Sequence, residues 1–230
     1  MDAIFEEIIK NADPAYQAFQ QKLIPNVEKD SVLGVRAPQA QAIAKKYAGT
    51  TAGEAFLCTL PHKYYDENIV HAFMLGKLRC PQDELKSKII DFLPHVDNWA
   101  VCDGLCAHLK GFFKNRDKHY GFVLECASSQ SAYTCRFGLV CLLLYYIDKE
   151  HLVDILEICK SIQGEEYYVR MAVAWLLSFC LIKEYEDTLP FIKSKVLHPW
   201  VHNKAIQKAR ESHRLSDTKK DFLKSLKIKE

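Results

Sequence analysis

Apolar residues recur along the chain at spacings of three, four and seven. Ile4, Phe5, Ile8 and Ile9 form one such stripe, Leu85, Ile89, Ile90 and Leu93 a second, and Leu152, Ile155, Leu156 and Cys159 a third. Side chains at these intervals share one face of a helix, so each stripe predicts an amphipathic helix with that face in a core. The pattern breaks at Asn11-Ala-Asp-Pro14, Pro25-Asn26, Gly49 to Gly53, Pro61, Cys80-Pro81, Pro94, Gly164 and His198-Pro199. These interruptions are brief, which predicts short loops and no long linker.

A longer period overlies the helical one. Tyr64-Tyr-Asp-Glu-Asn68, Val96-Asp-Asn-Trp-Ala100, Tyr133-Thr-Cys-Arg-Phe137 and Tyr167-Tyr-Val-Arg-Met171 each place an aromatic or polar opening before a helical run, and Trp200-Val-His-Asn-Lys204 begins a fifth. The openings recur every ~32 to 37 residues, the period of a helix-turn-helix repeat. The predicted fold is all-α, a curved solenoid of stacked antiparallel helix pairs, with residues 1–230 as one domain. Equivalent positions of stacked repeats line one surface. Asn68, Trp99, Arg136, Arg170 and Asn203 with Lys204 are therefore expected to project together along the concave side.

Composition supports helices and narrows the function. In 230 residues there are only 9 Gly and 8 Pro, too few for the turns of an all-β fold, and 49% hydrophobic residues suffice for a core. The net charge is +2, from 31 basic and 29 acidic residues, so a polyanionic partner has to be argued from where the basic groups sit. Asp2, Glu6 and Glu7 interrupt the apolar residues of Met1 to Lys10, which predicts no export signal and a cytoplasmic, nucleoid-associated protein. The longest apolar run, Phe137 to Ile147, is far short of the roughly 20 residues that span a bilayer. The nine cysteines include no Cys-x-x-Cys pair and read as buried small hydrophobes. Cys102 and Cys106 lie one turn apart, but no His or Cys cluster accompanies them, and no metal or cofactor is expected.

Several segments could carry chemistry. In Asp97-Asn-Trp-Ala-Val-Cys-Asp103, Trp99 and Asp103 stand at i and i+4, so an indole and a carboxylate share a helix face and could receive a cation. The plainer reading makes Asp97 or Asn98 an N-cap, packs Trp99 on a neighbouring repeat and leaves Asp103 solvated or salt-bridged. Trp175 follows Ala172 and Val173 and precedes Leu176 and Leu177, an environment that by itself reads as core rather than site. Arg136 enters an apolar helix, where a guanidinium needs either an internal carboxylate or a bound phosphate. Lys204, Lys208 and Arg214 form a basic stripe that reads as a solvated face or as a row of phosphate ligands. Gly34-Val-Arg-Ala-Pro38 opens a helix continuing to Lys45, with Pro38 in its first turn and Arg36 beside backbone N–H groups that suit an anion. No phosphate-binding glycine loop, His-Glu-x-x-His or Gly-x-Ser-x-Gly is present, which disfavours nucleotide hydrolysis, hydride transfer and zinc proteolysis.

Taken in order, Gly34-Val-Arg-Ala-Pro38, Asp97-Asn-Trp-Ala-Val-Cys-Asp103, Cys135-Arg-Phe-Gly138, Val173-Ala-Trp175 and Asn203-Lys-Ala-Ile-Gln-Lys208 resemble the AlkD-type DNA alkylation repair family over nearly the whole chain. The resemblance implies HEAT-like repeats, a monomer acting on alkylated duplex DNA, and cleavage of the N-glycosidic bond of N3- or N7-alkylated purines without a base-flipping pocket. It assigns Asp103 as the catalytic carboxylate and places Trp99 and Trp175 around the lesion. Arg136 would hold the backbone, with Arg36, Lys45, Arg170, Asn203, Lys204 and Lys208 as further DNA ligands. The stretch Tyr16 to Val32 departs from the pattern. Active members present a helix here that helps hold the duplex, whereas Pro25-Asn26 and Glu28-Lys29-Asp30 predict one that is shortened or absent. A binding module that recognises DNA structure or a protein segment without chemistry is the alternative to the enzyme.

Overall fold

The computed structural model describes residues 3–229. Met1 and Asp2, which open the stretch read for an export signal, and Glu230 lie outside the described residues. Among the described residues the fold is all-helical, with fourteen α-helices and no strand. The chain forms two compact units, residues 1–115 and 116–230. No helix is long and apolar enough to cross a membrane.

The first unit holds α1 (Ala3–Lys10), α2 (Pro14–Leu23), α3 (Ala37–Tyr47), α4 (Thr51–Cys58), α5 (Tyr65–Leu75), α6 (Gln82–Phe92) and α7 (Trp99–His108). Local chemistry sets the boundaries. Asp13 caps α2, its Oδ1 accepting from the backbone N–H groups of Ala15 and Tyr16, and Pro14 supplies the preset φ of the first turn. Gly49, at φ 77°, follows the end of α3 in the left-handed conformation that releases a chain from a helix. Helix α5 packs between α3 and α7 and is buried over most of its length, its polar Asp66, Asn68 and His71 included. Glu7 on α1 takes the Lys46 ammonium and the Tyr47 hydroxyl of α3. Those bonds, Lys46 foremost, hold its carboxyl below the usual range.

The second unit holds α8 (Arg116–Ala127), α9 (Ala132–Tyr145), α10 (Leu152–Ser161), α11 (Tyr167–Lys183), α12 (Tyr185–Lys193), α13 (Pro199–Arg210) and α14 (Asp217–Ser225). Helix α11 lies between α9 and α13, and the run Cys135 to Leu143 of α9 is buried without interruption. Gly138 allows α8 to approach, since a Cβ there would overlap the backbone of Ala127. Leu181, Ile192, Ile206 and Leu223 close the C-terminal end of the core.

The five openings read from the sequence begin α5, α7, α9, α11 and α13, so the repeat is a repeat of inner helices. Details differ from the sequence reading. The break at Gly49 to Gly53 ends early, because Thr50 caps α4 by accepting from Gly53 N–H at 3.1 Å, and Gly53 lies buried within that helix. Ile9 and Ile90, counted in their stripes, are exposed. In the stretch Tyr16 to Val32, where a helix shortened or absent was expected, α2 continues as far as Leu23 and stops just before Pro25.

Candidate functional site

In the first unit the site is built at the opening of α7. Asn98 is the N-cap, its Oδ1 accepting from Val101 N–H at 3.0 Å, while its amide nitrogen donates to Asp97 Oδ1 at 2.8 Å. This cap fixes where the helix starts and so where Trp99 sits. The Trp99 indole is half-buried, and its Nε1–H donates to the carbonyl of Leu23, the last residue of α2, at 3.0 Å. Asn26 adds a second tie, donating from Nδ2 to the Asp97 carbonyl at 2.6 Å. Asp103 follows one turn later, also half-buried. An indole fixed at one edge thus stands beside a carboxylate on the same helix, an arrangement that attracts a cation.

The Gly34 to Pro38 motif is organised by a carboxylate that sequence reasoning passed over. Asp66, at the start of α5 and 1% exposed, accepts from Leu33 N–H at 2.6 Å and Val35 N–H at 2.7 Å. Burial pushes this carboxyl up, and the backbone donors of Leu33 and Val35 oppose the shift. Gly34 holds φ 86° where a Cβ would overlap Asp13 and Gln17 of the α2 opening. Asp66 thus takes the backbone donors of Leu33 and Val35 in the turn before α3, upstream of the α3 N-terminus where an anion was expected. Arg36 is exposed and bonded to Asp13 Oδ2 through Nε at 3.1 Å and Nη2 at 2.8 Å, with its guanidinium 4.6 Å from the centre of the Tyr16 ring. Lys45 is exposed on α3. Asn68, expected on the functional surface, is 8% exposed, and its Oδ1 has no partner among the described residues.

In the second unit Arg136 is 4% exposed, and its Nη1 donates to the carbonyl of Tyr168, in the first turn of α11, at 2.7 Å. Arg170, two residues further, donates from Nε to the Gly164 carbonyl at 2.9 Å and lies 3.6 Å from Glu165. Trp175 is half-buried two turns into α11, its ring edge-on to Phe179. On α13 the Asn203 amide is engaged at both ends with the backbone of Ile228, each bond 2.9 Å long, so it ties down the C-terminal segment. Lys204 and Lys208 are half-buried on the same helix, and Lys204 Nζ bonds Gln207 at 3.0 Å.

Among the described residues one group brings metal-ligand atoms together: Asp148, Glu150 and His151, within 4.8 Å of one another. Asp148 is fully engaged, Oδ2 with Arg116 Nη1 at 2.6 Å and Oδ1 with His151 Nδ1 at 2.8 Å. Burial acts to raise its carboxyl, but the His151 and Arg116 bonds outweigh that and bring it down to about 2. A cation here would have to displace a guanidinium, so the cluster reads as a loop clasp after α9. Cys102 and Cys106 are both buried in α7.

Fold and site together define an all-helical repeat protein with aromatic, acidic and basic groups set at the openings of its inner helices. The family model described as DNA alkylation repair enzyme matches residues 4–209, and the chain belongs to that family. Its work is DNA alkylation repair, with DNA as the class of partner. No curated protein matches the chain.

Proposed function

We propose that the protein is a monofunctional DNA glycosylase that excises N3- or N7-alkylated purines from duplex DNA. The observation that carries this reading is the Trp99 and Asp103 pair on α7, an indole tethered by Leu23 one turn from a half-buried carboxylate. Alkylation makes the purine cationic and a good leaving group. When its bond to C1′ breaks, the bonding electrons go to the purine ring and neutralise it, leaving an oxocarbenium-like sugar. The Asp103 carboxylate stabilises that positive charge and orients a water, which adds to C1′ and gives up a proton to solvent through the carboxylate. The products are free alkylpurine and an abasic site. The indole face of Trp99 attracts the same cation.

In this reading the lesion's lability and charge supply much of the selectivity, and no base-flipping pocket is needed. Lys45, Lys204 and Lys208 provide sequence-independent affinity through phosphates, weakened by salt. Arg136 acts chiefly as a positioning group, since it is buried and bonded to Tyr168. The test is release of methylated purines from dimethyl-sulfate-treated duplex by the wild-type protein, read by chromatography of the free bases. Absence of release would remove the catalytic reading.

A further inference from the structure

Within the second unit, four aromatic rings form a continuous chain across the openings of three adjacent inner helices. Tyr133 of α9 and Tyr168 of α11 have centroids 6.0 Å apart, Tyr168 and Tyr167 are 5.2 Å apart, and Tyr167 and Trp200 of α13 are 5.9 Å apart. All four are partly or well exposed, Tyr167 at 53%. Aromatic side chains bury large apolar area when they sit in a core. A connected run of them left at the surface is an apolar patch that calls for a ligand.

The strip ends in a recess beside Trp200 whose lining includes Lys204, Gln207 and Lys227 and, among the described residues, no carboxylate. Lys204 Nζ lies 5.6 Å from the centre of the Trp200 ring, near the outer limit of a cation–π contact, and its hydrogen bond to Gln207 at 3.0 Å leaves further ammonium protons for an incoming anion. Glu165 and Glu166 immediately precede Tyr167 in the chain, and the lysines gather at the α13 end of the strip.

We infer that this strip is a binding surface for unpaired, single-stranded DNA, with bases stacked on Tyr167 and Trp200 and backbone phosphates held by Lys204 and Lys227. The combination of ring faces with flanking lysines is the chemistry that holds single strands without sequence preference. A duplex keeps its base faces stacked inside and offers such rings only its backbone and groove edges, which leaves the stacking capacity of the surface unused. The inference rests on the family's work on DNA and is independent of whether Asp103 performs excision.

The test is titration of the intact protein with a twelve-residue oligothymidylate and with a duplex of equal length, followed by tryptophan fluorescence and by anisotropy of labelled DNA. Oligothymidylate is expected to quench tryptophan emission. Tyr167→Ala is expected to weaken its binding roughly ten-fold or more, the loss of one stacked base. Tyr167→Phe should bind as wild type, and Trp200→Phe should keep most of the affinity while losing much of the quenching. Lys227→Ala should reduce the salt dependence of binding. Tyr167→Ala should leave duplex affinity and methylpurine release unchanged, and because the side chain is exposed its circular dichroism should match wild type. Three results would overturn the inference: no binding of oligothymidylate, binding indifferent to Tyr167→Ala and Lys227→Ala, or equal loss of single-strand and duplex binding in Tyr167→Ala. Failure of methylpurine release with these effects intact would count against the glycosylase reading alone.

Discussion

The indole of Trp99 donates to the backbone carbonyl of Leu23 at 3.0 Å, which joins the opening of the α7 repeat to the last residue of α2. With Asn26 bonded to the Asp97 carbonyl, the N-terminal segment is held against the residues that present Asp103. Trp99→Phe keeps most of the ring and removes the bond. It is expected to lower stability by about 1 kcal/mol in urea unfolding, the usual net worth of one hydrogen bond. Asn26→Ala should cost a similar amount.

The turn before α3 depends on Asp66. Asp66→Ala leaves the N–H groups of Leu33 and Val35 without their acceptor in a buried place and is expected to destabilise the protein by about 2–4 kcal/mol. Gly34→Ala should be damaging too, because it meets both positive φ and the backbone of α2. Equilibrium denaturation of the two variants measures both effects.

Arg136 is too buried to be exchanged freely for lysine. Its fork already serves the Tyr168 carbonyl, and lysine cannot reproduce a planar guanidinium. Arg136→Lys is expected to lower stability by about 1–3 kcal/mol, and any fall in DNA affinity should come without the change of salt slope that loss of an exposed phosphate ligand produces. A variant as stable as wild type with a reduced salt slope would instead make Arg136 a direct phosphate ligand.

Three histidines are held neutral by burial. His71 lies well below the ordinary range, with the positive charges of its neighbours adding to burial, and His108 and His202 are lowered chiefly by burial as well. His71 shares a 2.8 Å hydrogen bond with His62 and stacks on Phe92. A depressed folded pKa means that the unfolded chain takes up the proton first. The stability these groups confer is therefore complete above about pH 6.5, the unfolded value, and falls as pH drops toward their folded values. Unfolding free energy measured between pH 7.5 and 5 should decline with a slope approaching that of more than one proton, and His71→Phe should flatten it.

The repeat was legible because each inner helix opens with a recognisable group, and those openings coincide with the starts of α5, α7, α9, α11 and α13. The Trp99 and Asp103 pair was legible for the same reason, since i and i+4 on a helix are local. What escaped was non-local. Asp66 stood inside a quoted opening, yet its partners lie some thirty residues earlier and give no sign of themselves in spacing. Asn203 matched the pattern of a surface ligand but is spent on Ile228, and Arg36 is paired with Asp13, because side-chain partners depend on which segments the fold brings beside them. Gly53 looked like a break and is instead a close-packing position inside α4.

The most direct test of the central claim compares wild type with Asp103→Asn for release of methylated purines from alkylated duplex, with duplex affinity measured on the same samples at two salt concentrations. Release in the wild type that falls by at least ten-fold in Asp103→Asn, with salt-dependent affinity retained, is the predicted result. Undiminished release by Asp103→Asn, or none by the wild type, would contradict it.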